Sequence, residues 1–466
     1  MSRSSTLLKN TAILSVGAIC TKVLTFVMVP LFSHWLSAEE YGEFDLLCTY
    51  ITLLIPLISL SCGEAVFRKM IDATEAEKQK SVVSTCMAIV AVGLFLLVLC
   101  TPIIFGYFGV KHCVSFLFLG VAELINNFMT YYARGKRKLK WYTLANILFV
   151  VAMSLGVTIL VYILKLGLNG IILGYGLGYV VSALFLVFAT GIKNDFTIQA
   201  IKLSTLKEVV RYSAPLIPNS ISWWIANVSD RTIISVVIGS AANGIYALAN
   251  KIPAICTAFF SVFHLSWQES ASDSVSSEDR DAFYNAVYTS TTKTIISICA
   301  VVLSLNCAMF SFIFDPKYYS ARYHVPILMT AIIFSFVAQF LGGIFIAFQD
   351  TKANGTTTVI AAIINIIVNV LFINTLGLYA ASLSTLISYL ALYVIRIVML
   401  KKTISLRLDK DCILTVLVYV IILIIQYTDS MVLQFLSFIF ATAMFCMVNK
   451  QIVIRVIGLV NRMIKK

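Results

Sequence analysis

The sequence predicts an all-α polytopic membrane protein of about fourteen spanning helices, arranged as two six-helix bundles in parallel repeat followed by two further helices. Three observations carry that expectation. Of 466 residues, 60% are hydrophobic and only 12% charged, with a mean hydropathy of +0.93, whereas a soluble domain is roughly half apolar and about a quarter charged. Apolar runs of about 18 residues or more recur from end to end, each long enough to cross a hydrocarbon core of about 30 Å as a helix. Finally, two pairs of short segments recur at nearly one spacing, described below. Such a chain has no room for a sizeable soluble domain.

The expected spans run near 11–33, 44–65, 82–105, 114–133, 142–164, 168–190, 213–238, 244–267, 285–313, 324–348, 356–374, 378–399, 411–427 and 431–448. MSRSSTLLKN enters the first span with no short apolar core and no small-residue cleavage site, so no removable signal peptide is expected. An even count puts both termini on one side. About 26 of the 35 Lys and Arg fall on that side and about 4 on the other, which makes the termini cytoplasmic. RGKRKLK (Arg134–Lys140), KKTISLRLDK (Lys401–Lys410) and the tail NRMIKK supply much of the bias. Anchoring beside anionic lipid accounts for these basic runs.

One cytoplasmic connection is longer, FTIQAIKLSTLKEVVRY (Phe196–Tyr212), and its mixed three- and four-residue apolar spacing reads as a helix on the membrane surface. It falls near mid-chain. LSAEEYGEFDLL (Leu36–Leu47) aligns with IGSAANGIYALA (Ile238–Ala249), and LGLNGIILGYG (Leu166–Gly176) with LGLYAASLSTL (Leu376–Leu386). The pairs sit at equivalent hairpins, an even number of spans apart, as a parallel repeat requires. The expected organisation is therefore an N-terminal bundle over 1–190, a cytoplasmic amphipathic linker over 191–212, a second bundle over 213–400, and two extra spans with a basic tail over 401–466. Pro56 and Pro253 interrupt equivalent helices of the two halves, and Pro30, Pro215 and Pro218 interrupt spans one and seven; membrane helices also tolerate such prolines without function.

Ionisable groups deep in a bilayer cost roughly 2.5–3.5 kcal/mol or more each and are the default functional candidates. Here they are Lys22, Glu123, Asp230, Arg231, Lys251 and Lys293, while Glu64 and Arg396 lie close enough to cytoplasmic ends to snorkel and receive a structural reading. At about 1.5 Å per residue, Arg231 and Lys251 lie about 12 Å below their outer ends, and Lys22 and Glu123 about 15 Å. Adjacent helical residues point about 100° apart, so Asp230 and Arg231 each need a partner elsewhere. In this layer Lys22, Arg231 and Lys251 face Asp230 and Glu123, leaving one surplus cation. Two readings follow: a cationic cavity facing an anionic substrate, or a closed set of ion pairs locking the bundles with one lysine neutralised by burial. Asn126, Asn127, Asn146, Gln339, Asn365 and Asn369 lie at similar depths and suit either sugar hydroxyls or helix–helix adhesion. Trp223, Asn227 and Asp230 share one face of span seven; Trp223 suits stacking on a sugar ring and interfacial anchoring alike.

YSAPLIPNSISWWIANVSDRTIISVVIG, followed by ANGIYALANKI and a span closing in W-Q-E, resembles the second-half signature of the oligosaccharide flippases, the O-antigen or capsular repeat-unit translocases of the Wzx type. These form the polysaccharide-transport branch of the multidrug/oligosaccharidyl-lipid/polysaccharide exporter superfamily. KNTAILSVGAICTKVLTFVMVPLFSHWLSAEEYGEFDLL is similar to the opening of those proteins. The resemblance implies translocation of an undecaprenyl-pyrophosphate-linked oligosaccharide from the cytoplasmic to the outer leaflet of a bacterial inner membrane by alternating access, for O-antigen lipopolysaccharide, capsule or a related polymer. It implies a cation-lined central cavity, with Arg231, Lys251 and Lys22 fitting and Asp230 holding Arg231's surroundings or relaying a proton. Glu123, Asn227 and Trp223 complete the expected substrate-binding set, and membrane lipids, a polysaccharide polymerase and chain-length machinery are the expected partners.

The remaining features exclude other classes. Eleven cysteines are scattered through apolar segments with no C-x-x-C, and four histidines lie far apart, so neither a disulfide framework nor a metal site is expected. The formal charge of +13 is explained by topology, and no nucleic acid partner is expected. There is no GxxxxGK[ST] loop, so transport energy has to come from an ion, potential or substrate gradient. Neither a cofactor nor enzymatic activity is expected. The alternatives are a multidrug or ion-coupled antiporter of the same fold, for which a cation surplus is unfavourable; a polytopic polysaccharide polymerase or ligase, for which the outer loops are short; and a membrane scaffold.

Overall fold

The computed structural model describes residues 21–450 and 454, apart from 74, 109, 110, 402 and 429. Residues 9–20 of the N-terminal resemblance and the NRMIKK tail lie outside the described residues. Every described element is helical, and each span expected after the first is covered by one helix or, for 44–65, 142–164 and 285–313, by two in succession. Ten of these helices are long and apolar enough to cross a membrane. The chain divides into two compact units, Met1–Ser235 and Val236–Lys466.

The first unit contains α1 (21–35), α2 (Ala38–Ile58), α3 (Cys62–Asp72), α4 (Ala76–Phe108), α5 (Cys113–Gly135), α6 (Leu139–Val157), α7 (Gly167–Thr190), α8 (Leu203–Ser213) and most of α9 (Leu216–Val237). α2 begins well before the expected residue 44 because S-A-E-E forms a capping box. The Ser37 hydroxyl accepts from Glu40 N at 3.1 Å and Glu40 Oε2 from Ser37 N at 2.9 Å, satisfying two donors of the first turn. The same helix ends early. Leu60 and Ser61 adopt left-handed conformations (φ 50° and 51°), and the chain restarts as α3.

α6 and α7 pack through small residues. Cβ atoms built on Gly174 and Gly178 would lie 2.7 Å from Val157 N and 2.8 Å from the Phe149 carbonyl, so only glycine permits this approach. A π-helical turn, Thr158–Ile163, closes the C-terminal end of α6. α8 does form over part of the expected linker and lies against α3 and α4, with Ser81 and Thr205 hydroxyls 2.8 Å apart and Lys69 3.6 Å from Glu208.

The second unit contains α10 (Ser240–Asp273), α11 (Arg280–Ser304), α12 (Asn306–Phe312), α13 (Val325–Ala347), α14 (Thr351–Leu376), α15 (Leu378–Leu400), α16 (Lys410–Ile425) and α17 (Met431–Val448). Its core gathers on α13. The Trp267 ring of the W-Q-E segment stacks on Phe340 at 4.1 Å and donates its indole N–H to the Phe340 carbonyl at 2.9 Å. α16 and α17, the two extra spans, both pack on α11.

Candidate functional site

The NVSDR stretch lies on α9, which runs beside α2 within the first unit. Trp224 Nε1 donates to the Thr49 carbonyl at 2.9 Å, and farther toward the C-terminal end of α9 Arg231 Nη1 donates to Asp45 Oδ2 at 2.9 Å. The Asp45 side chain is 6% exposed and that of Arg231 21%. Counted along α2 from Ala38 and along α9 from Val237, both charges lie about 10 Å from the helix end. Asp230 is buried, and its Oδ1 accepts from the Arg231 backbone N–H at 2.9 Å. The neighbours therefore meet through the main chain, and the guanidinium turns to another helix, as the helical step requires.

Asp45 is absent from the sequence-derived layer. Starting span two at residue 44 put it at the membrane surface; the capping signature S-x-x-E at Ser37 carries the signal that starts the helix earlier and draws Asp45 inward. With Asp45 added, the charges that the sequence assigns to this layer become Lys22, Arg231 and Lys251 against Asp45, Asp230 and Glu123, and the expected surplus cation disappears.

Glu123 belongs to a different feature of the first unit, a cavity of about 450 Å³. Glu123, Asn127 and Tyr131 line it from α5 at four-residue spacing; Thr52, Ile55, Pro56 and Ser59 from α2; Ser61, Gly63 and Glu64 from the helix break and α3; and Ser220 from α9. Glu123 also hydrogen-bonds Tyr179 of α7. The Tyr131 ring is seated against Gly63, where a Cβ would lie 2.7 Å from it, and the Arg134 guanidinium lies 5.5 Å from the ring centre. Glu64 was expected to snorkel. Instead the break after α2 brings it to the cavity wall.

Lys22 stands exposed on α1, and Lys251 is half-buried on α10 of the second unit. The side chains of Trp223 and Asn227 lie outside the described residues. Lys293 forms an ion pair with Asp409 at 2.7 Å and lies 3.9 Å from Asp411, which ties α11 to the start of α16. Arg396 is 3% exposed and does not snorkel: it donates to the Ala338 carbonyl at 2.6 Å, to Asn354 Oδ1 at 2.7 Å and to the Thr357 and Thr358 hydroxyls at 3.1 and 3.0 Å. Asn365 approaches Ser384 and Thr385 at 3.5 and 3.4 Å, joining α14 to α15. Among the described residues no group of three or more His, Cys, Asp and Glu is placed to hold a metal ion.

Comparison with known proteins agrees with this architecture. A family model described as polysaccharide biosynthesis protein matches residues 7–266. No curated protein sequence matches the chain. Among solved structures, the lipid II flippase MurJ in an inward closed conformation is similar with a TM-score of 0.73 at 13% identity, covering 96% of this chain and 100% of that one. A multidrug resistance MATE family transporter of the MOP superfamily is similar in its inward-facing form with a TM-score of 0.66 at 15% identity, covering 84% of this chain and 100% of that one. Its outward-facing form gives 0.59 at 16% identity, with 84% and 95% covered. At these identities the structural likeness speaks for the fold, and the family match covers more than half of the chain. The chain belongs to the polysaccharide biosynthesis protein family, as a multi-pass membrane protein with the fold of MOP-superfamily transporters.

Proposed function

We propose that this protein translocates undecaprenyl-pyrophosphate-linked oligosaccharide repeat units from the cytoplasmic to the outer leaflet of a bacterial inner membrane by alternating access, with both termini cytoplasmic. The observation that carries the reading is the Arg231–Asp45 pair, which joins α9 to the membrane-length helix α2 in a polysaccharide biosynthesis family member. A lone guanidinium at that depth is costly, and Asp45 compensates it while no anion is bound. A pyrophosphate bears about two negative charges and matches the planar fork of arginine, so it competes for the partly exposed guanidinium. Lys22 and Lys251 are assigned to the same anionic head group, Asp230 to holding the main chain at Arg231, and Asn227 and Trp223 to the sugars. Glu123 is assigned to the sugar end of the substrate. The product feeds O-antigen, capsule or a related polymer, with a polymerase and chain-length machinery acting after it.

The test is leaflet sidedness of a labelled lipid-pyrophosphate oligosaccharide in proteoliposomes holding wild-type protein or Arg231→Ala at equal reconstitution. Movement by the wild type that the variant loses supports the reading. Equal movement by both removes Arg231 from the path, and no movement by either under matched gradients overturns the flippase reading.

One observation favours an ion-coupled antiporter instead. Asp45 cancels the cation surplus, and the first-unit cavity carries two carboxyl groups, which suit a cationic substrate. Uptake of an organic cation against a proton or sodium gradient, in the absence of any lipid-linked saccharide movement, would select that reading.

A further inference from the structure

The cavity of the first unit is rich in hydrogen-bond acceptors, with the Asn127 amide and the Tyr131 hydroxyl as donors among them. The hydroxyls of Thr52, Ser59 and Ser220 spend their protons on their own helices, donating to the Thr49, Ile55 and Leu216 carbonyls at 2.7, 2.7 and 3.1 Å. Their lone pairs remain for other partners. Pro56 has no N–H, so the Thr52 carbonyl lacks its helical donor. Glu64 and Glu123 add four carboxyl oxygens. Ser61, 6% exposed, lines the same wall with a hydroxyl that has no partner, and such a buried group ordinarily finds one.

A lining of this kind calls for a ligand rich in donors. A bare metal ion fits poorly, because oxygen ligands must converge to about 2.0–2.6 Å. Glu123, Asn127 and Tyr131 instead form a ladder about 12 Å long on one face of α5. A polyol fits better: it offers several O–H groups spread over that length, and the volume of about 450 Å³ falls in the usual range for small-ligand sites.

We propose that this cavity is a sugar-selecting subsite for neutral or amino sugars, whose hydroxyl and ammonium groups donate to Glu64, Glu123, Ser61 and the α2 oxygens. It disfavours uronic acids and other acidic sugars, which would set a carboxylate against two carboxyl groups. The proposal rests on the flippase reading and adds the class of sugar carried.

The probes are farnesyl-pyrophosphate-linked glucose, glucosamine and glucuronic acid, bound to the purified full chain and measured by native mass spectrometry. The wild type is expected to bind the first two roughly tenfold more tightly than the glucuronate. Glu64→Gln, Glu123→Gln and the double variant are expected to tighten glucuronate binding and erase most of the difference, a gain that misfolding cannot produce. Wild-type discrimination that persists unchanged in the double variant overturns the proposal. Equal binding of all three probes, lost in Arg231→Ala, also overturns it but leaves the flippase reading standing. Failure of every probe to bind, together with Glu64- and Glu123-dependent binding of ethidium, overturns both in favour of an organic-cation site.

Discussion

Arg231 of α9 and Asp45 of α2 are 186 positions apart in sequence and 2.9 Å apart in space, guanidinium to carboxylate. Each ion is made tolerable by the other, and together they stitch α9 to α2 beside the Trp224–Thr49 bond. Removing one partner leaves the other charge uncompensated. Asp45→Asn or Arg231→Gln alone should destabilise the protein by about 1–4 kcal/mol, the lower end reflecting the exposed part of Arg231. The double variant should cost less than the sum of the two. A double-mutant cycle of thermal unfolding in one detergent measures this, and additivity within about 0.5 kcal/mol would deny the coupling.

Lys293 bonds Asp409 at the first residue before α16, and the Asn449 amide at the end of α17 bonds Ser297 at 2.9 Å and accepts from Thr294 at 2.6 Å. One polar stripe of α11 thus holds the two extra helices. Lys293→Met should raise hydrogen exchange and trypsin cleavage around Arg407 and Lys410 while leaving α13 protected. Unchanged exchange there would show that apolar packing alone retains α16.

Gly174 faces Val157 so closely that any side chain must part α6 from α7. Gly174→Ala should cost about 1–3 kcal/mol and Gly174→Leu more, with the melting temperature falling in that order. A melting temperature equal to wild type for the leucine variant would mean that the two helices do not need this contact.

Arg396 uses a planar fork to reach a carbonyl of α13 and three side-chain oxygens of α14. Lysine cannot place donors in that pattern, so Arg396→Lys should lose nearly as much stability as Arg396→Met, about 2–4 kcal/mol each. Stability restored to wild type by lysine would show that charge, not geometry, matters at this position.

Much of the fold was legible because lipid leaves the backbone few options. Each apolar run must satisfy its own amides as a helix, so run length and hydropathy placed the helices. The reading faltered where local chemistry overrides hydropathy. At α2, the Ser37 capping box and the left-handed Leu60 and Ser61 set both helix ends, and with them Asp45 is buried and Glu64, expected to snorkel near a helix end, lines the cavity. The sequence by itself determined that Asp230 and Arg231, as neighbours on one helix, point about 100° apart and need partners elsewhere, since that depends only on the angle between neighbours. Which groups answer them was decided by tertiary structure alone: a pairing across 186 positions depends on the packing of α9 against α2, and no local periodicity records which helices become neighbours.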